Sequence, residues 1–164
     1  VIVDYPDPIL LRECEEIDPL SKICRKIVES LRVDMHAYRR KGIGLSAPQI
    51  GLSFRIFVMD NKFLGVKGSS AFINPKITWV SQETEWEDEG CLSFPAAFIV
   101  SVARPVSIEI SAFDTRGRRF EEKMSGLAAR CFQHEQDHLN GINLWNYASD
   151  KRKALFAKDL EKTV

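Results

Sequence analysis

The chain has 164 residues, 23 basic and 23 acidic side chains and four cysteines. That length fits one domain spanning residues 1–164 with a substantial core; the balanced charge without a long basic tract excludes a stable nucleic-acid footprint, and the lack of an eighteen-residue apolar run excludes a membrane span. Cys14, Cys24, Cys91 and Cys131 form no Cys-x-x-Cys pair, and their low density suits a reducing compartment.

Pro6 and Pro8 mark an irregular start. Asp18-Pro19 reads as an N-cap followed by the first helical residue. Leu20, Ile23, Ile27, Leu31 and Met35 then recur at helical spacing up to about Arg40, with Lys22, Arg25, Lys26, Glu29 and Arg32 on the other face. His36, near the end of that helix, reads as a surface residue. Residues 42–51 set Gly42, Gly44, Gly51 and Pro48 among small and apolar side chains, a loop able to bring its backbone close to a ligand. It is a poor phosphate loop, because it follows a helix and lacks the required lysine. Gln49, taken alone, reads as a brace for this loop.

Residues 54–59 are strand-like, and 61–70 a turn. Residues 71–77 read as an edge or bulged strand, since Pro75 cannot donate to a central ladder, with a second extended piece over 78–86. Glu83, Glu85, Glu87, Asp88 and Glu89 read as a solvated face, although Glu89 lies two residues before Cys91. Residues 96–102 are rich in β-formers, and 106–113 alternate as a strand with one buried face. Asp114-Thr115-Arg116-Gly117 is a turn from which 118–124 return antiparallel. Residues 147–164 form a basic helix with Leu155, Phe156 and Leu160 on its apolar side. Helices at both ends of mostly antiparallel strands make the fold class α+β.

The remaining segment carries the chemistry. Ser125 as N-cap, the helix formers Ala128 and Ala129, and Asn140-Gly141 as terminus frame a helix. It contains His134-Glu135-Gln136-Asp137-His138, the H-E-x-x-H pattern, whose two imidazoles stand one turn apart on one side. Leu127, Cys131, His134 and His138 share one stripe, so the histidines face inward. Two buried imidazoles without partners are costly, and a single cation satisfies both. Glu135 can reach a water beside that cation without ligating it. A catalytic site wants a third protein ligand; Cys91, Cys131, the acidic run before Cys91 and a carboxylate beyond the helix are candidates. Cys91, in a glycine-interrupted extended stretch, is favoured over Cys131, which the same helix cannot easily bring around one ion.

Three motifs together resemble those of the peptide deformylases: Gly42-Ile43-Gly44-Leu45-Ser46-Ala47-Pro48-Gln49, Glu89-Gly90-Cys91-Leu92-Ser93, and Gln133-His134-Glu135 with Asp137-His138. The resemblance covers about Tyr5 to Tyr147. It implies antiparallel sheets around a central metal-binding helix, with an N-terminal and a C-terminal helix. Cys91, His134 and His138 would hold one divalent metal ion, Fe²⁺ natively and Zn²⁺, Ni²⁺ or Co²⁺ as substitutes. Glu135 would move protons, and Gln49 with the backbone N–H of Leu92 would stabilise the oxyanion. By the family pattern, Ile43, Leu127 and Cys131 would line a slot for the methionine side chain, the backbone of Ile43 and Gly90 would hold the peptide in extended form, and Gly44 would also contact substrate. Arg130 would lay its stem along the slot with the guanidinium in water, and Arg104 would bridge Glu89 and Asp137.

The implied reaction is removal of formyl groups from formyl-methionyl N-termini of nascent chains, with transient ribosome association and neither stable nucleic-acid nor membrane binding. A plant-type or organelle form would act in a plastid or mitochondrion after loss of a transit segment, and a bacterial form in the cytoplasm. Ser46 replaces a common alanine, Ala96 a common glycine, and 96–104 is one residue longer than usual, so the cleft rim departs from the pattern. A further departure is 142–147, where the family tends to have an apolar run ending in aspartate. Two other readings compete: a zinc metallopeptidase, which would want a downstream histidine or glutamate ligand, and a non-catalytic module binding peptide termini, which would have no need of Glu135.

Overall fold

Ser21, not Asp18, caps the first long helix. In the computed structural model, which describes residues 1–38, 43–64 and 69–162, the Ser21 hydroxyl accepts from the Cys24 N–H at 3.2 Å and α1 runs Lys22–Ala37. Asp18 closes the preceding turn instead, accepting from the Leu20 N–H at 2.9 Å. The later start moves Leu20 out of the helix and leaves Ile23 facing solvent. The buried face is Cys24, Ile27, Val28, Leu31 and Met35, and His36 is exposed. The expected end near Arg40 lies outside the described residues.

In chain order the strands are β1 (Gly44–Ser46), β2 (Ile56–Asp60), β3 (Ser69–Val80), β4 (Thr84–Glu89), β5 (Val100–Pro105), β6 (Ser107–Phe113) and β7 (Arg119–Ser125). Five form an antiparallel sheet in the order β1-β2-β3-β6-β7, while β4 and β5 pair with each other in a separate ladder. The glycine-rich 42–51 segment is therefore not a loop where it is described. Gly44 opens β1, and Ala47–Ile50 form a 3-10 turn.

Of the two expectations at Pro75, an edge or a bulged strand, the structure has the second, because β3 lies at the centre of the sheet. A bulge accommodates the proline: register slips between Ile73 and Lys76, and Asn74 takes a φ of 49°. Its side chain exchanges hydrogen bonds with the backbone of Ile17 at 2.8 and 3.0 Å. The missing N–H falls where the ladder is already interrupted. The predicted 78–86 extension divides at Ser81, between β3 and β4, and the extended segment expected from Ala96 forms a strand only from Val100.

β2 is buried on both faces and so distributes its residues between two clusters. Ile56 and Val58 meet α1, whereas Phe57 and Met59 face the helix α2 (Gly126–Leu139). Phe132 of α2 packs edge-on against Phe57 and Phe72, with ring centroids 4.9 and 5.2 Å away. One side of α2 is thereby fixed to the large sheet. Past its end, Gly141 has φ +73°, and a Cβ there would lie 2.8 Å from the Leu11 carbonyl oxygen, so both conformation and space require glycine.

The expected C-terminal helix begins later and is preceded by a short one. α3 (Leu144–Tyr147) is capped by Asn143, whose side chain accepts from the Trp145 N–H at 3.1 Å. α4 follows over Asp150–Lys162. Phe156 is buried with Phe94, Phe98, Val100, Val102 and Leu144, whereas Leu155 is exposed. The Leu160 side chain lies outside what the structure describes.

Candidate metal centre

On α2 the His134 and His138 rings lie with centroids 5.1 Å apart. Cys91, two residues beyond the end of β4, brings its Sγ to 3.3 Å from His138 Nε2. One ligand atom from each of Cys91, His134 and His138 lies within 4.8 Å of the other two. A sulfur and two imidazole nitrogens make a three-ligand donor set of the catalytic type. His134 Nδ1 faces Glu89 Oε1 at 2.8 Å, which leaves Nε2 for a cation. Burial works against a charge on His134, but hydrogen bonds to Cys91 and Glu89 outweigh it and raise its pKa well above the ordinary value. Burial drives His138 well down. Both rings ligate as neutral imidazoles. The residues present therefore fit a divalent ion.

Cys131 is buried in the same cleft, outside this ligand group. Burial and the neighbouring Glu135 charge keep its thiol protonated, with a pKa well above the usual one. Glu135 is 3% exposed, and its Oε2 has no hydrogen-bond partner among the described residues. Burial pushes this carboxyl up to about 7. Gly44 lets β1 approach it, since a Cβ at that position would stand 3.0 Å from both Glu135 Cγ and Cys131 Sγ. The close approach expected of the glycine segment is thus made toward α2.

Glu89, read as part of a solvated acidic face, is buried, while Glu83, Glu85, Glu87 and Asp88 are exposed. Its carboxylate receives Arg104 Nε at 2.6 Å, Arg104 Nη2 at 2.9 Å and Arg130 Nη1 at 2.7 Å, besides facing His134. Burial alone would raise its pKa, but His134 and Arg104 overcome that and lower it to about 2. Arg104 Nη1 also reaches Asp137 Oδ2 at 2.9 Å. Arg130 differs from expectation: its guanidinium does not enter water but binds Glu89, Val102 O at 2.9 Å and Glu85 O at 2.7 Å. A buried carboxylate outcompetes solvent for it, because its planar fork can satisfy three acceptors at once. Leu127 departs as well, being 48% exposed at the cleft mouth rather than turned into the core.

Gln49 is 1% exposed and braced at both ends of its amide. The Ser46 N–H and hydroxyl each donate to Oε1 at 3.0 Å, so Nε2 points to Ser93 Oγ at 3.2 Å and Cys91 Sγ at 3.4 Å. Ile43, Gly90, Leu92 and Leu127 line the same cleft of about 140 Å³ beside Cys91 and Glu135. The Ile43 carbonyl already accepts from the Asp60 N–H at 2.7 Å. Sequence reasoning missed Ser93 and gave Ser46 no partner. It also missed Tyr147, whose hydroxyl donates to Asp137 Oδ2 at 2.7 Å. The spacing of Cys91 and Ser93 was the one available hint, and nothing local pointed to Tyr147.

A family model described as polypeptide deformylase matches residues 1–154. The chain is 40% identical over 163 residues to the peptide deformylase of Thermotoga maritima, covering 98% of this chain and 95% of that protein. It is 39% identical over 161 residues to peptide deformylase 1B, chloroplastic/mitochondrial, of Arabidopsis thaliana, covering 98% of this chain and 58% of that one. A solved Plasmodium falciparum peptide deformylase in complex with an inhibitor superposes with a TM-score of 0.84 at 36% identity, covering 99% of this chain and 97% of the other.

Proposed function

The chain belongs to the peptide deformylase family, and on that premise we propose that it removes the formyl group from formyl-methionyl N-termini of nascent chains, releasing formate. Cys91, His134 and His138 are the proposed ligands of one divalent cation. The observation that carries this reading is the approach of Cys91 Sγ to two imidazoles of one helix, beside a buried carboxylate one of whose oxygens has no partner among the described residues.

When bound, the cation supplies Lewis acidity, drawing charge from the formyl oxygen and lowering the pKa of a neighbouring water. Glu135 accepts the proton of the attacking water at its carboxylate and delivers it to the departing amine nitrogen. A carboxyl whose pKa burial pushes to about 7 can do both near neutral pH. The Gln49 amide, held by Ser46, offers its N–H to the oxygen that gains charge, and the Leu92 N–H is the proposed second donor. Ile43, Leu127 and Cys131 offer the methionine side chain an apolar surface, with Gly44 and Gly90 bordering the extended peptide. Glu89, Arg104, Asp137 and Arg130 orient His134 and tie the Cys91 segment to α2.

Fe²⁺ is the proposed working metal. Zn²⁺ binds such donors more tightly than Fe²⁺ and would displace it where both are available. Association with the ribosome is transient and follows the substrate. The relatives include bacterial enzymes and plant organelle enzymes, and the proposed site of action is the corresponding compartment. No helix among the described residues is long and apolar enough to cross a membrane.

The metallopeptidase alternative gains no support. Among the described residues the group around the two imidazoles is completed by Cys91, not by a downstream histidine or carboxylate. The test is anaerobic assay of formate release from formyl-Met-Ala-Ser after loading with Fe²⁺, Ni²⁺ or Zn²⁺, with metal content measured on the same sample. Glu135→Gln should keep one metal per chain and lose at least about 1,000-fold in turnover, the scale of a lost general base combined with a misplaced water. Wild-type protein that holds metal and releases no formate overturns the reading.

A further inference from the structure

Tyr147 ends α3 at the surface and is 39% exposed, yet it stands at the outer end of a connected series of polar groups. Its hydroxyl donates to Asp137 Oδ2 at 2.7 Å. The same oxygen accepts from Arg104 Nη1 at 2.9 Å, and Arg104 donates twice more, at 2.6 and 2.9 Å, to Glu89. Glu89 Oε1 then faces His134 Nδ1 at 2.8 Å. The Arg104 guanidinium also lies under the Tyr147 ring, 5.2 Å from its centroid.

We propose that Tyr147 is a positioning residue for the metal centre, acting on His134 through Asp137, Arg104 and Glu89. This rests on the metal-site reading given above. Arg104 is held on three sides: a carboxylate along its Nε edge, a second carboxylate at Nη1, and an aromatic ring over its plane. Removing the phenolic O–H leaves Asp137 Oδ2 with one donor instead of two. That carboxylate, partly open to solvent, then gains freedom to turn outward. Arg104 loses the anchor opposite Glu89, and the orientation of the Glu89 carboxylate toward the imidazole loosens. Groups that orient a ligating histidine typically change metal affinity by about 10- to 100-fold when removed. Tyr147 lies farther out, so its effect belongs at or just below the lower end.

α3 has its own anchors, which separates this role from simple packing. Leu144 is buried with Phe94 and Phe156, and Asn143 caps the helix. Tyr147→Phe keeps the ring and these anchors and removes only the O–H.

The experiment measures the rate at which Co²⁺-loaded protein releases its metal to an excess chelator, together with the visible absorption of the bound Co²⁺. Tyr147→Phe should release Co²⁺ about five- to tenfold faster and shift the cobalt bands, while the melting temperature of the metal-free protein stays within about 2 °C, the shift expected of a surface change below 0.5 kcal/mol. Tyr147→Ala, which also uncovers Arg104, should be faster again. In an Asp137→Asn background the further effect of Tyr147→Phe should fall below about twofold, because the two act in series. Unchanged release and bands in Tyr147→Phe overturn the proposal. So does an equal effect with and without the Asp137 carboxylate. Should Asp137→Asn not take up Co²⁺, the single variants decide alone. A wild-type chain that binds no Co²⁺ overturns the metal-site reading instead.

Discussion

Ser46 and Gln49 show how one residue can fix the orientation of an amide. The Ser46 backbone N–H can only donate, so a flipped Gln49 would turn its NH₂ toward a fixed donor in a buried site, while the rotatable Ser46 hydroxyl adds a second donor to Oε1. Ser46→Ala leaves only the backbone donor. At about 1 kcal/mol for the lost hydrogen bond, kcat for deformylation should fall about fivefold with KM nearly unchanged, since the oxygen served by Nε2 gains charge only as the reaction proceeds. Steady-state kinetics on formyl-Met-Ala-Ser checks this, and a change confined to KM would contradict it. At this scale the two histidines and Glu135 were legible because a helical repeat fixes their mutual positions. Cys91 was legible only as a ranked candidate, because its distance from the helix depends on the tertiary path. Arg130 was misread because a long aliphatic stem in an apolar stripe looks the same whether its head meets water or Glu89, a residue 41 positions away in the chain.

Helix ends and strand interruptions set where these residues arrive. α2 stops just before Gly141, where a positive φ and the Leu11 backbone exclude any larger residue. Gly141→Ala should destabilise the protein by at least about 2 kcal/mol, combining backbone strain of 1–3 kcal/mol with displacement of the neighbouring segment. Denaturant unfolding measures it, and a loss below 0.5 kcal/mol would mean that the contact relaxes freely. This terminus was readable, because asparagine and glycine after a periodic run are a local signal. The start of α1 was not: Asp18 and Ser21 both satisfy the capping rule, and the exposed Leu20 gives a helix begun at Asp18 no apolar contact to hold its first turn. Pro75 left two readings open for a related reason. Its missing donor suggests an edge or a bulge, and only the pairing of β3 shows that the Asn74 bulge makes a central strand tolerant of it.

For the molecule as a whole, helix periodicity and strand alternation were enough to read α+β, but the division of the strands into two ladders was hidden. Pairing partners such as Glu85 and Arg104, opposite each other in β4 and β5, carry no mark that separates them from the larger sheet. That division has a consequence for motion. α2 is fixed to the five-stranded sheet by Phe132, whereas Cys91 follows directly from β4, so a cation held by both would act as a rivet between two plates. With the ion chelated away, the β4–β5 plate retains the arginine contacts and should breathe more often, exposing its amides to deuterium, while β2, buried on both faces, stays protected. Hydrogen–deuterium exchange resolved by mass spectrometry should show residues 84–105 taking up label several-fold faster after chelation, by mass action on the closed form, and slowing again on reloading. Equal uptake in both states would mean that the two plates stay locked together without the ion.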